Sequence, residues 1–133
     1  MAVIILLAGF LWVIYTAVSK RGRVRSLAQR IQEMSVEEVR RSIGRIVPDP
    51  DRLAPGDEQR PFDGIVICAP EIWKENEIVG YLEETEHPGT PVTYLARAHN
   101  EVLLIDAESM EIEHRFTSLD HAILFDLRAG ELT

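Results

Sequence analysis

The sequence has few of the residues that enzymes and metalloproteins use for chemistry. It contains one cysteine, Cys68, which excludes an internal disulfide and a thiolate metal cage, and its apolar neighbours indicate a buried strand thiol. Its eight glycines form neither a G-x-G-x-x-G nor a G-x-x-x-x-G-K-[ST] motif, and no serine lies in a nucleophile elbow. We therefore predict that the protein is not an enzyme and has no catalytic residues, no cofactor and no small-molecule substrate.

Positive charge is scarce in the second half of the chain. Residues 61–133 carry four Lys or Arg against fifteen Asp or Glu, a net charge of −11, whereas residues 20–60 carry a net charge of +3. A nucleic-acid-binding domain needs a cationic surface that faces the phosphates. The acidic half therefore predicts no nucleic-acid partner.

Two Glu-x-x-His strings have the spacing of a di-iron motif, but their surroundings argue against one. Glu84 and His87 run into a Pro-Gly turn, and Glu111 and His114 lie on an alternating stretch, where positions three apart point to opposite faces of a strand. We expect no metal site. We expect His121 to be solvated or bonded locally at the start of a helix.

The first part of the chain lacks charged side chains. None occurs from Ala2 to Ser19, and ten of these eighteen positions are Val, Ile, Leu or Phe. The run has no polar stripe and no A-x-A cleavage pattern, so a soluble core helix and a secretory signal are both disfavoured. As a helix it would be about 27 Å long, close to the roughly 30 Å of a bilayer core. We predict a transmembrane helix over residues 1–20.

The basic residues that follow this run indicate its orientation. The cluster comes directly after the run, and no Lys or Arg precedes it. The positive-inside rule then predicts a single-pass protein of the cell (inner) membrane with its N-terminus outside and its C-terminal domain in the cytoplasm. Five side chains are predicted to contact anionic lipid headgroups: Lys20, Arg21, Arg23, Arg25 and Arg30.

Small side chains recur on one face of the predicted span. Ala2, Gly9 and Thr16 are seven positions apart, a spacing that lets another helix approach closely. This face predicts integral membrane protein subunits as partners.

Beyond the span, the pattern indicates three segments: basic juxtamembrane helices over residues 21–47, a Pro-rich spacer over 48–61 and an acidic α+β domain over 62–133. Two helices, about 22–34 and 36–45, are predicted because the apolar period shifts at Ser35, which forms a capping box with Glu38. Four prolines in fourteen positions indicate that the spacer is extended and semi-rigid.

The acidic segment has the period of two that is typical of strands. Four stretches predict strands, the last three as an antiparallel meander: residues 64–69, 90–98, 101–107 and 111–116. Residues 119–129 predict a helix with Ser118 as its N-cap, although they also fit a strand, and residues 77–84 fit either. The expected fold class is a single N-terminal transmembrane α-helix plus a small α+β cytoplasmic domain, an antiparallel meander with short helices.

These features favour a protein that binds other proteins. Trp73 is a large ring among charged residues, and it either folds over the edge of the sheet or serves as an exposed interface anchor. We expect a non-catalytic, single-pass accessory subunit of a larger membrane protein complex, with the acidic domain capping the cytoplasmic side. Small subunits of energy-transducing complexes share this layout. The alternative is a membrane-tethered regulatory or adaptor module that recruits a soluble protein, for which the spacer would act as a leash.

Replacing Lys20, Arg21, Arg23 and Arg25 together by Ala should randomise the orientation of the chain, because these residues supply the charge asymmetry across the predicted span. Cysteine accessibility from either side of the membrane measures the orientation. A C-terminal domain that stays uniformly cytoplasmic would contradict the charge argument.

Overall fold

The computed structural model describes residues 21–132, which form a small α+β domain. Helix α1 covers residues 21–32 of this range, and the other helices are α2 (Val36–Ile43), a short 3-10 helix (Pro50–Arg52) and α3 (Leu119–Gly130). The strands are β1 (Glu58–Phe62), β2 (Ile65–Trp73), β3 (Asn76–Glu83), β4 (Pro91–Ala98), β5 (Glu101–Asp106) and β6 (Ile112–Phe116). The predicted α+β class with an antiparallel sheet is confirmed for this part of the chain.

The predicted transmembrane helix over residues 1–20 lies outside the described residues, as do Ala2, Gly9, Thr16 and Lys20. Between residues 21 and 132, no helix is both long enough and apolar enough to cross a membrane.

The six strands form one sheet in their order along the chain, and every neighbouring pair is antiparallel. The predicted three-strand meander corresponds to β4, β5 and β6, and its first turn lies at His99 and Asn100 as predicted. The ambiguous residues 77–84 lie mostly in β3. Gly80 is required there, because a Cβ at this position would collide with the carbonyl oxygen of Val66 on β2.

Local capping separates α1 from α2. The hydroxyl of Ser35 accepts a hydrogen bond from the backbone N–H of Glu38 at 3.2 Å, as the capping box predicts. Gly44 ends α2 in the left-handed conformation, with φ 74°, and its N–H donates to the carbonyl of Arg40. The helices are therefore two residues shorter at their C-terminal ends than predicted.

The structure of residues 48–61 differs from the predicted extended spacer. Pro50 is buried at the start of the 3-10 helix, where no N–H donor is needed, and β1 begins within the segment. Arg97 of β4 attaches this segment to the sheet: its Nη2 atom lies 3.0 Å from Oδ1 of Asp51 and 2.7 Å from Oε2 of Glu77. The prediction was wrong because a high proline content shows only that backbone N–H donors are missing. It does not show which distant residues bind the side chains between the prolines.

One hydrophobic core lies between the helices and one face of the sheet. The strands contribute Ile65, Ile67, Val79, Leu95, Val102, Leu104 and Phe116, and the helices contribute Ala28, Ile31, Val39, Ile43, Ala122, Ile123, Leu124 and Phe125. Ala28 and Ile31 of α1 are 7% and 2% exposed. The basic helices and the acidic segment, predicted as separate segments, therefore form one folded unit, because the apolar side of α1 is buried in the shared core.

His121 connects α3 to the end of α1. Its Nε2 atom lies 2.8 Å from the carbonyl oxygen of Met34, which accepts only, so Nε2 donates this bond, and Nδ1 is hydrogen-bonded to the hydroxyl of Ser118. That hydroxyl also accepts from the backbone N–H of His121, so the predicted cap of α3 is confirmed. The predicted local bond is present, but the solvated alternative is wrong, since His121 is 1% exposed.

Replacing Ile31 by Ala should lower the free energy of unfolding by about 2–5 kcal/mol, because it leaves a cavity in the core that the sheet shares with α1. Urea unfolding of the detergent-solubilised chain, followed by circular dichroism, measures the change. The matched control is Arg30→Ala on the exposed side of the same helix, for which we expect a change within about 0.5 kcal/mol. Equal stability of the two variants would mean that α1 is not part of the core.

Candidate protein interface

The helices pack on one face of the sheet, and the opposite face carries a row of large side chains. Val66, Tyr81, Tyr94 and Ile105 stand opposite one another on β2, β3, β4 and β5. Directly paired side chains lie on the same face of an antiparallel sheet. We call the face that bears this row the uncovered face, because no helix of residues 21–132 contributes to the apolar cluster on it.

A second apolar cluster lies on the uncovered face. Ala96, Leu103 and Ile105 are buried there, with Trp73, Tyr94 and Ala98 packed against them. All six residues lie on strands, and in the described part of the chain no helix contributes to the cluster. The aromatic rings thus shield the three buried residues while part of their own surface stays exposed.

Trp73 combines the two interpretations left open by the sequence. Its ring packs against the second cluster at the end of β2 and remains partly exposed. The ammonium group of Lys74 lies 4.9 Å from the ring centroid, within the range of a cation–π contact. A partly exposed tryptophan held in one place by its neighbours has the character of an interface anchor.

Acidic side chains border the uncovered face. Glu58, Glu71 and Glu101 are exposed and stand opposite Cys68, Ile78 and Ala98, respectively, in the strand register. We call these three glutamates the acidic rim. Glu58 pairs with Arg60 at 3.4 Å and Glu101 pairs with Arg115 at 3.1 Å, whereas Glu71 has no ion-pair partner among residues 21–132. The rim places three carboxylates at the border of the apolar face, two of which are paired with arginines.

Cys68 lies between two rim residues. Partial burial raises the pKa of its thiol, and the charges of Glu71 and Glu58 raise it further. A thiol with a raised pKa stays protonated near neutral pH and is a poor nucleophile. Cys68 lies on β2, as predicted, but it is only partly buried, so the predicted full burial was wrong.

A polar network closes one end of the uncovered face. The carboxylate of Glu83 accepts from the backbone N–H of Gly89 at 2.6 Å and from Nε of Arg60 at 3.0 Å. These two bonds lower the pKa of Glu83, the Gly89 N–H having the larger effect. Arg60 also reaches Glu58 at 3.4 Å, so the network ties the β3–β4 loop to the acidic rim.

Between residues 21 and 132, no group of three or more His, Cys, Asp and Glu side chains is placed to hold a metal ion, at the two Glu-x-x-His strings or elsewhere. His114 packs against Phe125, with ring centroids 4.5 Å apart, and burial lowers its pKa. His87 lies in the exposed β3–β4 loop.

The predicted headgroup residues of α1 lie at its surface. Arg21, Arg23, Arg25 and Arg30 are all exposed, as a contact with lipid headgroups requires. These arginines are far in sequence from Trp73, which lies on the uncovered face.

Sequence reasoning identified Trp73 but missed the other large residues of the uncovered face. Tyr81 lies in the stretch whose type was ambiguous, and Tyr94 lies in a predicted strand whose facing neighbours depend on register. Tyr94 could have been identified by its position between Thr93 and Leu95, which are buried, because neighbouring residues of a strand face opposite sides of the sheet. It places Tyr94 on the face opposite the core.

The chain matches no protein-family model, no curated protein and no solved structure, so its function has to be inferred from its own residues.

Replacing Glu83 by Gln should lower the melting temperature at pH 7 by about 4 °C, the shift that a loss of about 1 kcal/mol produces in a domain of this size. Because the pKa of Glu83 is lower in the folded state than in the unfolded state, its contribution is present above about pH 4.3 and is lost as the pH falls through the folded pKa. The difference in melting temperature between Glu83→Gln and the parent should therefore become smaller towards pH 3. Thermal unfolding across this pH range measures it.

The matched control for this experiment is Glu84→Gln, the next residue along the chain, which is exposed. An equal loss in both variants, or a difference between Glu83→Gln and the parent that does not change with pH, would contradict the role of the network.

Proposed function

We propose that the protein is a non-catalytic, single-pass accessory subunit of a larger complex in the cell (inner) membrane. Residues 1–20 span the bilayer, the arginines of α1 lie among anionic headgroups, and the folded unit caps the cytoplasmic side of integral membrane subunits. The partners are those subunits and the surrounding lipid. Neither a nucleic acid nor a small-molecule substrate is part of the proposal.

The observation that carries this proposal is the burial of α1 in the core of the domain. Ala28 and Ile31 contact the core that also contains α2, α3 and the sheet. No loose tether separates the arginines that follow the apolar run from the sheet within the described residues, since residues 48–61 are attached through Pro50 and the Asp51–Arg97 ion pair. A unit joined in this way holds a fixed orientation at the membrane surface, as a docked subunit must.

The uncovered face supplies a docking surface of suitable chemistry. Cytoplasmic segments of membrane proteins are enriched in Lys and Arg, and the acidic rim of Glu58, Glu71 and Glu101 is complementary to them. Such complementarity favours encounter and orientation. Trp73 and Tyr94 add the aromatic anchors that typically contribute most of the affinity.

The alternative function, a tethered adaptor that recruits a soluble protein, drew its support from a mobile leash. The attachment of residues 48–61 to the sheet removes that support. The uncovered face is compatible with a soluble partner as well, so the identity of captured proteins distinguishes the two functions.

Replacing Glu71 and Glu101 together by Lys should reduce the recovery of integral membrane subunits about tenfold or more, because like charges that meet across an interface cost several kcal/mol. The measurement is affinity capture of the tagged full chain from detergent-solubilised membranes, with partners quantified by mass spectrometry. Capture of membrane subunits in a fixed ratio to the chain is the expected result for the parent.

The control variant carries Glu33→Lys and Glu37→Lys, the same change of charge at exposed positions on the helical side of the unit. We expect it to recover membrane subunits like the parent. Equal recovery by both variants would remove the acidic rim from the interface. Substoichiometric soluble partners in place of membrane subunits would favour the adaptor.

A further inference from the structure

A groove of about 800 Å³ runs between α1 and the edge strand β6. Arg21, Val24 and Arg25 line it from α1, and Ile112 and His114 line it from β6. At one end, the side-chain amide of Gln32 donates to the carbonyl of Arg115 and joins the helix to the strand edge. The groove thus has cationic groups and apolar walls along the same length.

Two arginines of α1 line this groove without an ion-pair partner among the described residues. Arg21 and Arg25 are exposed, and neither forms an ion pair with another of the described residues. Arg115, which also lines the groove, is already paired with Glu101 at 3.1 Å. The guanidinium groups of Arg21 and Arg25 are therefore available to an anion.

Two other ionisable groups, Glu113 and His114, line the groove. Partial burial raises the pKa of Glu113, and the charge of Asp106 raises it further, although its side chain is exposed. Burial lowers the pKa of His114, so its ring is favoured as a neutral wall. Among the described lining residues, Arg21 and Arg25 outnumber the one carboxyl, Glu113, so the groove carries a net positive charge.

The position of the groove along the chain indicates what the anion is. Arg21 and Arg25 follow the last residue of the apolar run, Ser19, by two and six positions, which corresponds to about 3 and 9 Å along a helix. The headgroup layer of a bilayer extends roughly 5–7 Å beyond the hydrocarbon core. If residues 1–20 span the membrane, as proposed above, the groove opens at the depth of the lipid phosphates.

We propose that this groove binds one anionic phospholipid of the cytoplasmic leaflet, with Arg21 and Arg25 holding the phosphate and Val24 and Ile112 lying against the carbon atoms of the headgroup and glycerol. Free phosphate would contact only the arginines, whereas a phospholipid would contact both the arginines and the apolar side chains of the groove. This inference rests on the proposed membrane insertion and adds a defined lipid site to it.

The helix provides a matched control. Positions 21 and 25 are four apart and lie on the groove side of α1, whereas positions 23 and 30 are seven apart and lie on the opposite side. All four arginines are exposed. Arg21→Gln with Arg25→Gln removes the same charge as Arg23→Gln with Arg30→Gln, so a diffuse basic collar predicts equal effects and a groove predicts different ones.

The test is native mass spectrometry of the delipidated full chain in detergent, titrated with phosphatidylglycerol and, separately, with phosphatidylcholine. We expect the parent to bind one phosphatidylglycerol in preference to phosphatidylcholine. The Arg21/Arg25 variant should bind phosphatidylglycerol about thirtyfold more weakly, as expected for two lost contacts of the size typical of arginine at an anionic leaflet. The Arg23/Arg30 variant should change less than about threefold.

Three results would overturn the lipid site: equal weakening in both variants, no preference of the parent for phosphatidylglycerol, or full competition by inorganic phosphate at the lipid concentration. Loss of captured protein partners from the Arg21/Arg25 variant with unchanged lipid binding would assign the groove to a protein segment instead. Carbonate extraction of membranes that contain the parent tests insertion separately. Because the titration needs no inserted chain, failure of the lipid site and failure of the proposed function give different results.

Discussion

The burial of the apolar side of α1 is the constraint on which the rest of the structure depends. Ala28 and Ile31 contact a core built from α2, α3 and one face of the sheet, so the helix is fixed against the folded unit. The bond from His121 to the carbonyl of Met34 holds the end of the same helix and satisfies a polar ring inside the core. With α1 fixed, the edge of β6, the basic side chains and the uncovered face have defined relative positions.

The two faces of the sheet bury their apolar side chains in different ways. On the helical face, residues such as Ile67, Leu95 and Phe116 are covered by helices. On the uncovered face, Trp73 and Tyr94 lie over smaller neighbours, so the same rings that shield the cluster also remain partly exposed. An exposed aromatic patch bordered by charge is typical of surfaces that bind another protein. Polar networks hold the margins of the sheet, with Arg60 and Glu83 at one end and Arg97, Asp51 and Glu77 at the other.

Features whose interacting residues are close together in the sequence were predicted, and features whose partners are far apart in the sequence were not. The caps of α2 and α3 were predicted because the two groups of each bond lie three residues apart, Ser35 with Glu38 and Ser118 with His121. The ordering of residues 48–61 was not predicted, because Asp51 finds its partner Arg97 forty-six positions away. β3 was ambiguous because its pairing with β4 shifts register next to Gly80, which interrupts the alternation that identifies a strand.

The sequence by itself determined the features that depend on neighbouring residues: the uncharged run at the start, the cationic cluster after it, the acidic second half, the caps and most of the strands. Periodicity and charge are properties of short segments, so no partner has to be known to detect them. Only the tertiary structure decided which face of the sheet stays uncovered, and which arginines of α1 line a groove with β6. Those outcomes depend on contacts between residues such as Gln32 and Arg115, eighty-three positions apart, and are set by how the helices pack on the sheet.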